Sequence, residues 1–280
     1  MRELLYVCVT AVLLAPVAAD AQSLPVFAPD PGTSWFPDRP AGDDYLPHPD
    51  GGPGPVLSDP AHPYQTNDEG RNTGVQPTYR IADISNPILQ PWAAALLKKQ
   101  NDEVLAGKVP FIARERCYPG GVPQFDIFRR VAPVHIFQSE KEVHMIWPGD
   151  AQVRHVHLNV PHSQNPKSSW YGESVGHYEG DTLVVDTIGL NNKSLIDLYG
   201  TPHTELLHVV ERFRLIENGN ILQVLIEVED PGAFRMPWKA MQRFKRFNRG
   251  PIDEAICAEN NFEVLGYSVV PIPHDDTPDF

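Results

Sequence analysis

The sequence predicts a mainly β protein, an antiparallel barrel or sandwich with one helix ahead of the sheet and a proline-rich arm ahead of the helix. Three observations carry this. Short apolar alternations recur from Val131 to Glu229 with turn residues between them, the pattern of strands buried on one face. Two turn signals, Glu179-Gly180-Asp181 and Asn218-Gly219, sit between matched alternations and read as hairpins. Only the stretch from Asn86 to Gly107 has the composition of a helix.

Taken in order, residues 1–21 read as a secretory signal. Arg2 supplies positive charge, Leu4 to Val17 is apolar, and Ala19-Asp20-Ala21 fits a small-x-small cleavage site. The expected location is periplasmic or secreted. Residues 22–85 form the arm: 11 of the 29 prolines fall between Pro25 and Pro63, which excludes an ordinary helix or a central strand. Trp35, Phe36 and Tyr45 give the arm something to pack with, so it is expected to wrap across the domain or a second subunit, making a homodimer. Residues 86–280 hold the helix, the β domain and an irregular acidic C-terminal segment. Pro87 or Pro91 can open the helix and Gly107 can end it, with Trp92, Leu96 and Glu103 along one side. Strands follow at Val131–Gln138, Glu142–Trp147 and Val153–Val160, and then come the two hairpins. A closed barrel of lipocalin or calycin type would suit a mixed polar and apolar inner face.

The formal charge of −13 excludes general attraction to nucleic acid or anionic lipid. No later segment is apolar for long enough to suggest a membrane span. No phosphate-binding glycine loop with its helix occurs, so a nucleotide cofactor is not expected. Without its leader the chain keeps Cys117 and Cys257, an even pair that an oxidising compartment would join.

Candidate chemistry gathers between residues 155 and 229. If Asn218-Gly219 is the hairpin turn, Leu215 opposes Leu222, Phe213 opposes Val224, Glu211 opposes Ile226 and Val209 opposes Val228. Glu211 is the only charge on that apolar face. It is therefore either a proton-transfer group or one half of a buried pair with an Arg or Tyr from another strand. In the preceding hairpin, Glu173, Val175, His177, Thr182, Val184, Asp186 and Ile188 share one face, and Gly172, Ser174, Gly176, Tyr178, Leu183, Val185 and Thr187 share the other. Either can be internal. The first would bring Glu173, His177 and Asp186 to Glu211 in one polar pocket with apolar walls, and that arrangement is slightly preferred. His203 follows Pro202 in a polar connection that also holds Asn191 and Asp197, a place where a β scaffold commonly carries binding residues. Trp170, Tyr171 and Asn191 are the candidate substrate contacts.

Two motifs point elsewhere. Gly172-Glu173-Ser174-Val175-Gly176 matches the serine-hydrolase elbow, which needs a helix after it, whereas a strand follows here. His155-Val156-His157 with His162 resembles the first metal motif of cupins and makes a divalent metal the alternative cofactor. His162 stands where that motif has Glu, no second motif follows, and apolar Val156 and Leu158 would turn both histidines outward.

The runs W-Y-G-E-S-V-G-H-Y-E-G-D-T-L-V-V-D-T-I-G, T-P-H-T-E-L-L-H-V-V-E-R-F and V-E-D-P-G-A-F-R-M-P-W resemble a large group of secreted bacterial β-rich proteins, most of them uncharacterised. The resemblance implies export and a shared fold, and it suggests breakdown of plant- or lignin-derived aromatic compounds. The functional expectation is an exported lyase or hydrolase acting on a small molecule by acid–base chemistry. A lipocalin-like binding protein and a cupin-like metal enzyme are the alternatives.

Overall fold

A computed structural model describes residues 24–38, 45–64, 80–108, 118–123, 133–148, 152–248 and 250–252. The expected leader, Cys117 and Cys257, and the C-terminal tail lie outside the described residues. Among the described residues the strands are β1 (Thr33–Pro37), β2 (Leu46–Pro47), β3 (His135–Gln138), β4 (Glu142–Trp147), β5 (Gln152–Leu158), β6 (Glu173–Glu179), β7 (Thr182–Ile188), β8 (His208–Ile216), β9 (Ile221–Glu229) and β10 (Trp238–Asn248), and the helix α1 (Pro91–Leu105) precedes β3. They form one sheet in the order β1-β10-β9-β8-β7-β6-β5-β4-β3, with β2 also on β10. The two ends of that order meet: Trp35 and Val134 exchange backbone hydrogen bonds of 2.8 and 3.0 Å. The result is a nearly closed barrel, antiparallel except where β5 and β6 run parallel.

The hairpin register follows from the side-chain period of two. Leu215 pairs with Leu222, Phe213 with Val224, Glu211 with Ile226 and Val209 with Val228, as the turn chemistry predicts. The turn itself is wider than a two-residue loop: the ladder ends at Ile216 and Ile221, and between them Glu217, Asn218 and Gly219 take positive φ. Inward positions carry large side chains, among them Trp35, Trp147, Met145, Phe213 and Trp238, each no more than 1 % exposed. Burying each contributes on the order of 2–3 kcal/mol.

Two expectations need correction. Part of the proline-rich arm is a barrel strand: β1 pairs with β10 from Thr33 to Pro37. Pro37 closes the strand without a cost to the ladder, because the next bond to β10 is made by Asp38, whose N donates to Arg243 O at 2.7 Å. The buried stripe of α1 is Ala93, Leu97 and Asn101, at i, i+4 and i+8, while Trp92 is half exposed and its Nε1 donates to Gly232 O at 2.7 Å.

The connections after β7 and β9 leave from one end of the barrel, and α1 packs there. Ala93 and Leu97 join Ile196, Tyr199, Leu207, Phe234 and Trp238 in the core. Asn101 brackets Ala82, accepting from its N at 3.0 Å and donating to its O at 2.8 Å. No helix among the described residues is long and apolar enough to cross a membrane.

Candidate functional site

The inner face of the β6–β7 hairpin is the Ser174, Gly176, Leu183, Val185 and Thr187 side; Glu173, His177 and Asp186 point outward. The preferred polar pocket of Glu173, His177, Asp186 and Glu211 is therefore not formed: the first three lie on the outer face and Glu211 on the inner one. The reason is geometric: Val185, not Asp186, pairs with Glu211, and neighbours along a strand face opposite ways.

Glu211 meets Arg154 instead. Arg154 on β5 shares the inward parity of Val156 and Leu158, and both charged residues are fully buried. The guanidinium donates through Nη1 to Glu211 Oε1 at 3.2 Å and through Nη2 to Oε2. It also donates through Nε to Ser174 Oγ at 3.3 Å and through Nη2 to Thr187 Oγ1 at 2.9 Å. Ser174 and Thr187 bond each other at 2.8 Å. One side chain thus ties β5 to β6, β7 and β8 across the parallel seam. Ser174 is an inward strand residue, so the elbow motif is not a nucleophile turn.

His203 is buried and its neighbours are equally enclosed. Its Nε2 accepts from Ser194 Oγ at 2.8 Å and its Nδ1 donates to Thr204 O at 3.0 Å. Burial lowers its pKa, offset in part by the bond to Thr204 and the charge of Asp230. That leaves a neutral ring with a fixed tautomer beside a hydroxyl, the composition of a base and nucleophile. Space argues against such a role: a Cβ on Gly121 would lie 2.6 Å from Ser194 Cβ, so backbone already covers the hydroxyl. The pair holds the 194–204 connection closed. Tyr118 and Trp170 pack with ring centroids 5.5 Å apart next to it, and Tyr171 donates its hydroxyl to Gln152 Oε1. Asn191 Oδ1 accepts from Lys193 N at 3.1 Å, within its own turn.

The accessible titratable groups lie on the outer wall. The crossover between the parallel strands β5 and β6 must pass over a face of the sheet, and it carries His162 onto β6 and β7. His162 Nδ1 lies 2.9 Å from Glu173 Oε1 and Nε2 lies 3.1 Å from Asp186 Oδ1. The same Asp186 oxygen lies 2.9 Å from His208 Nε2 on β8. The four side chains form one continuous hydrogen-bonded chain, Glu173–His162–Asp186–His208, and the His208 side chain is 37 % exposed. The hydrogen bond to Asp186, opposed by desolvation, raises the His208 pKa above its ordinary 6.5. The same bond, with a further one from His162, holds Asp186 below the usual carboxylate range. Glu173 is lowered chiefly by hydrogen bonds from Ser163, one of them from its backbone N at 2.8 Å.

Of the expected catalytic group, the structure brings Asp186 into this chain and leaves the other three outside it. His177 sits farther along β6, its Nε2 3.2 Å from Glu179 Oε1. His162 and His208 escaped sequence reasoning as members of the site. His208 shares parity with the outward Arg212, which gave its direction, but His162 lies in a crossover whose path no local pattern encodes. The expected metal set is also split: His155 and His157 do face outward on β5, while His162 belongs to the chain just described. A hollow of about 330 Å³ among the described residues, lined by Pro53, Leu57, Asp83, Asn86, Ile88 and Met236, offers one ionisable group, which already accepts from Ser85. It adds no proton-transfer chemistry. Comparison with protein-family models, curated proteins and solved structures finds no match for this chain.

Proposed function

We propose that the protein is an exported enzyme that acts on a small molecule by acid–base chemistry, of lyase or hydrolase type, with His208 as the proton-transfer group. The observation that supports this is the Asp186–His208 pair at the exposed end of the four-residue chain. Asp186 holds Nε2–H, which fixes the ring and leaves Nδ1 as the nitrogen that meets a substrate. Protonated His208 donates from Nδ1 to a leaving group or a developing oxyanion. The neutral ring that remains keeps its proton on Nε2 and can take one back at Nδ1, so the same atom serves as acid and then as base. His162 and Glu173 hold Asp186 from its other side. Aromatic substrates of plant origin are the class suggested by the sequence resemblance, with Trp170 and Tyr171 just ahead of Glu173 on the chain.

The test is turnover of a panel of aromatic dimers and esters, read by mass spectrometry, followed by His208→Gln and Asp186→Asn. General acid–base groups contribute about 10²- to 10⁴-fold, so His208→Gln is expected to lose that much in kcat. Turnover that is indifferent to His208→Gln refutes the assignment. Saturable binding of panel members without turnover would favour the binding-protein reading.

A further inference from the structure

A second polar cluster lies on the outer wall two strands away. On β4 and β5, Glu142 pairs with His157 and His144 pairs with His155. Alternation puts both members of each strand on one side, so an E-x-H strand faces an H-x-H strand and four donors share one patch. One donor atom from each of Glu142, His144 and His155 lies within 4.8 Å of the others. Glu142 bonds two of the imidazoles: Oε2 is 2.9 Å from His144 Nε2 and Oε1 is 3.1 Å from His157 Nδ1. The rings of His144 and His155 meet edge-on, with centroids 4.8 Å apart.

We propose that Glu142, His144 and His155, with His157 as fourth donor, form a surface site for a borderline divalent cation of the zinc type. Three imidazoles and one carboxylate suit zinc, copper or nickel and disfavour calcium and magnesium, which prefer all-oxygen shells. Zinc bonds of about 2.0–2.1 Å set tetrahedral donors roughly 3.4 Å apart. Side-chain rotation closes the gap from 4.8 Å, since these residues are at least partly exposed and the strand backbone already fixes their spacing. The metal would take the place of the Glu142–imidazole hydrogen bonds. The site shares no residue with the His208 chain and stands or falls independently of it.

The experiment is calorimetric titration of the chelator-stripped full chain with zinc chloride at pH 7.5. The wild type is compared with His144→Ala/His155→Ala, with Glu142→Gln, and with His62→Ala, which removes another exposed imidazole beside a carboxylate. One equivalent is expected to bind with micromolar or tighter affinity. The double variant should weaken it by at least about a hundredfold and Glu142→Gln by about tenfold, while His62→Ala leaves it unchanged. Absence of binding overturns the proposal. So does binding of equal strength in the wild type and in a folded double variant. Should the double variant not fold, an unchanged affinity in Glu142→Gln and in His155→Ala overturns it equally.

Discussion

Glu211→Gln isolates the buried pair at the centre of the barrel wall. Gln keeps the shape of the side chain and one carbonyl acceptor, but its amide presents N–H groups to a guanidinium that has only donors. Arg154 and Glu211 are both fully buried, so the substitution withdraws a carboxylate from a buried guanidinium. Removing one partner of a buried ion pair costs about 3–5 kcal/mol. Against a total stability on the order of 5–15 kcal/mol, that is a large share. In a chain of this size each kcal/mol shifts Tm by about 2–4 °C, so Tm should fall by roughly 6–20 °C. Arg154→Met combined with Glu211→Leu removes both charges and replaces them with apolar groups of similar volume. It should lie within about 1–2 kcal/mol of the wild type, because the desolvation of two ions vanishes together with their attraction. Urea denaturation of the wild type, Arg154→Met, Glu211→Leu and the double variant gives the full cycle, with Glu211→Gln measured beside it. A Glu211→Gln protein of wild-type stability that has lost turnover would refute this reasoning and restore Glu211 as a proton-transfer group.

Three further outcomes follow from the same geometry. His208 is pushed up by Asp186, so their pairing stabilises the fold fully below about pH 6.5 and that contribution is lost as pH rises through the folded value; kcat should decline over the same window, and Asp186→Asn should move the decline to lower pH. His203 is pushed down by burial, so the unfolded chain binds its proton first and stability falls as pH drops below about 6.5; His203→Gln should flatten that limb in pH-dependent urea melts while costing roughly 1–3 kcal/mol at pH 8 for the lost buried hydrogen bond. Gly219 has φ of +78°, and Gly219→Val should cost about 1–2 kcal/mol in the same assay without altering kcat, because a side chain is strained there.

How much of this was legible in the sequence depends on whether a feature is local. The β8–β9 register was readable to the residue, since Asn218-Gly219 and the alternation on either side specify the same pairing. The outward direction of His155 and His157 was readable from Val156 and Leu158. The face of the β6–β7 hairpin was not: Gly176 and Ser174 are too small to mark an inner face by hydropathy, and Val175 and Val184 make the outer one look apolar. What settles it is Arg154, since a guanidinium can enter the barrel only where small hydroxyl residues and a carboxylate await it. That partnership joins residues 57 apart in the sequence. His162 lies beyond reach for a similar reason, because its place is set by a parallel crossover rather than by any period.

The wall therefore does two jobs on its two sides, and β7 shows how sharply they divide. Thr187 faces inward to Arg154 and Ser174, while Asp186, next to it in the chain, faces outward to His162 and His208. Those two sets of partners do not overlap. Thr187→Val should cost about 1–3 kcal/mol by withdrawing an acceptor from a buried guanidinium, and it should leave the pH dependence of turnover in place. Asp186→Asn should shift that pH dependence to lower pH with a far smaller loss of stability, as its contacts are half exposed and screened by solvent. In the double variant the two stability costs should add within about 0.5 kcal/mol despite the adjacency of the positions, since coupling needs a shared partner or a shared backbone shift. A coupling on the order of 1 kcal/mol or more would mean that the inner ion pair sets the backbone position of Asp186. The outer chain could then no longer be treated as a site independent of the core beneath it.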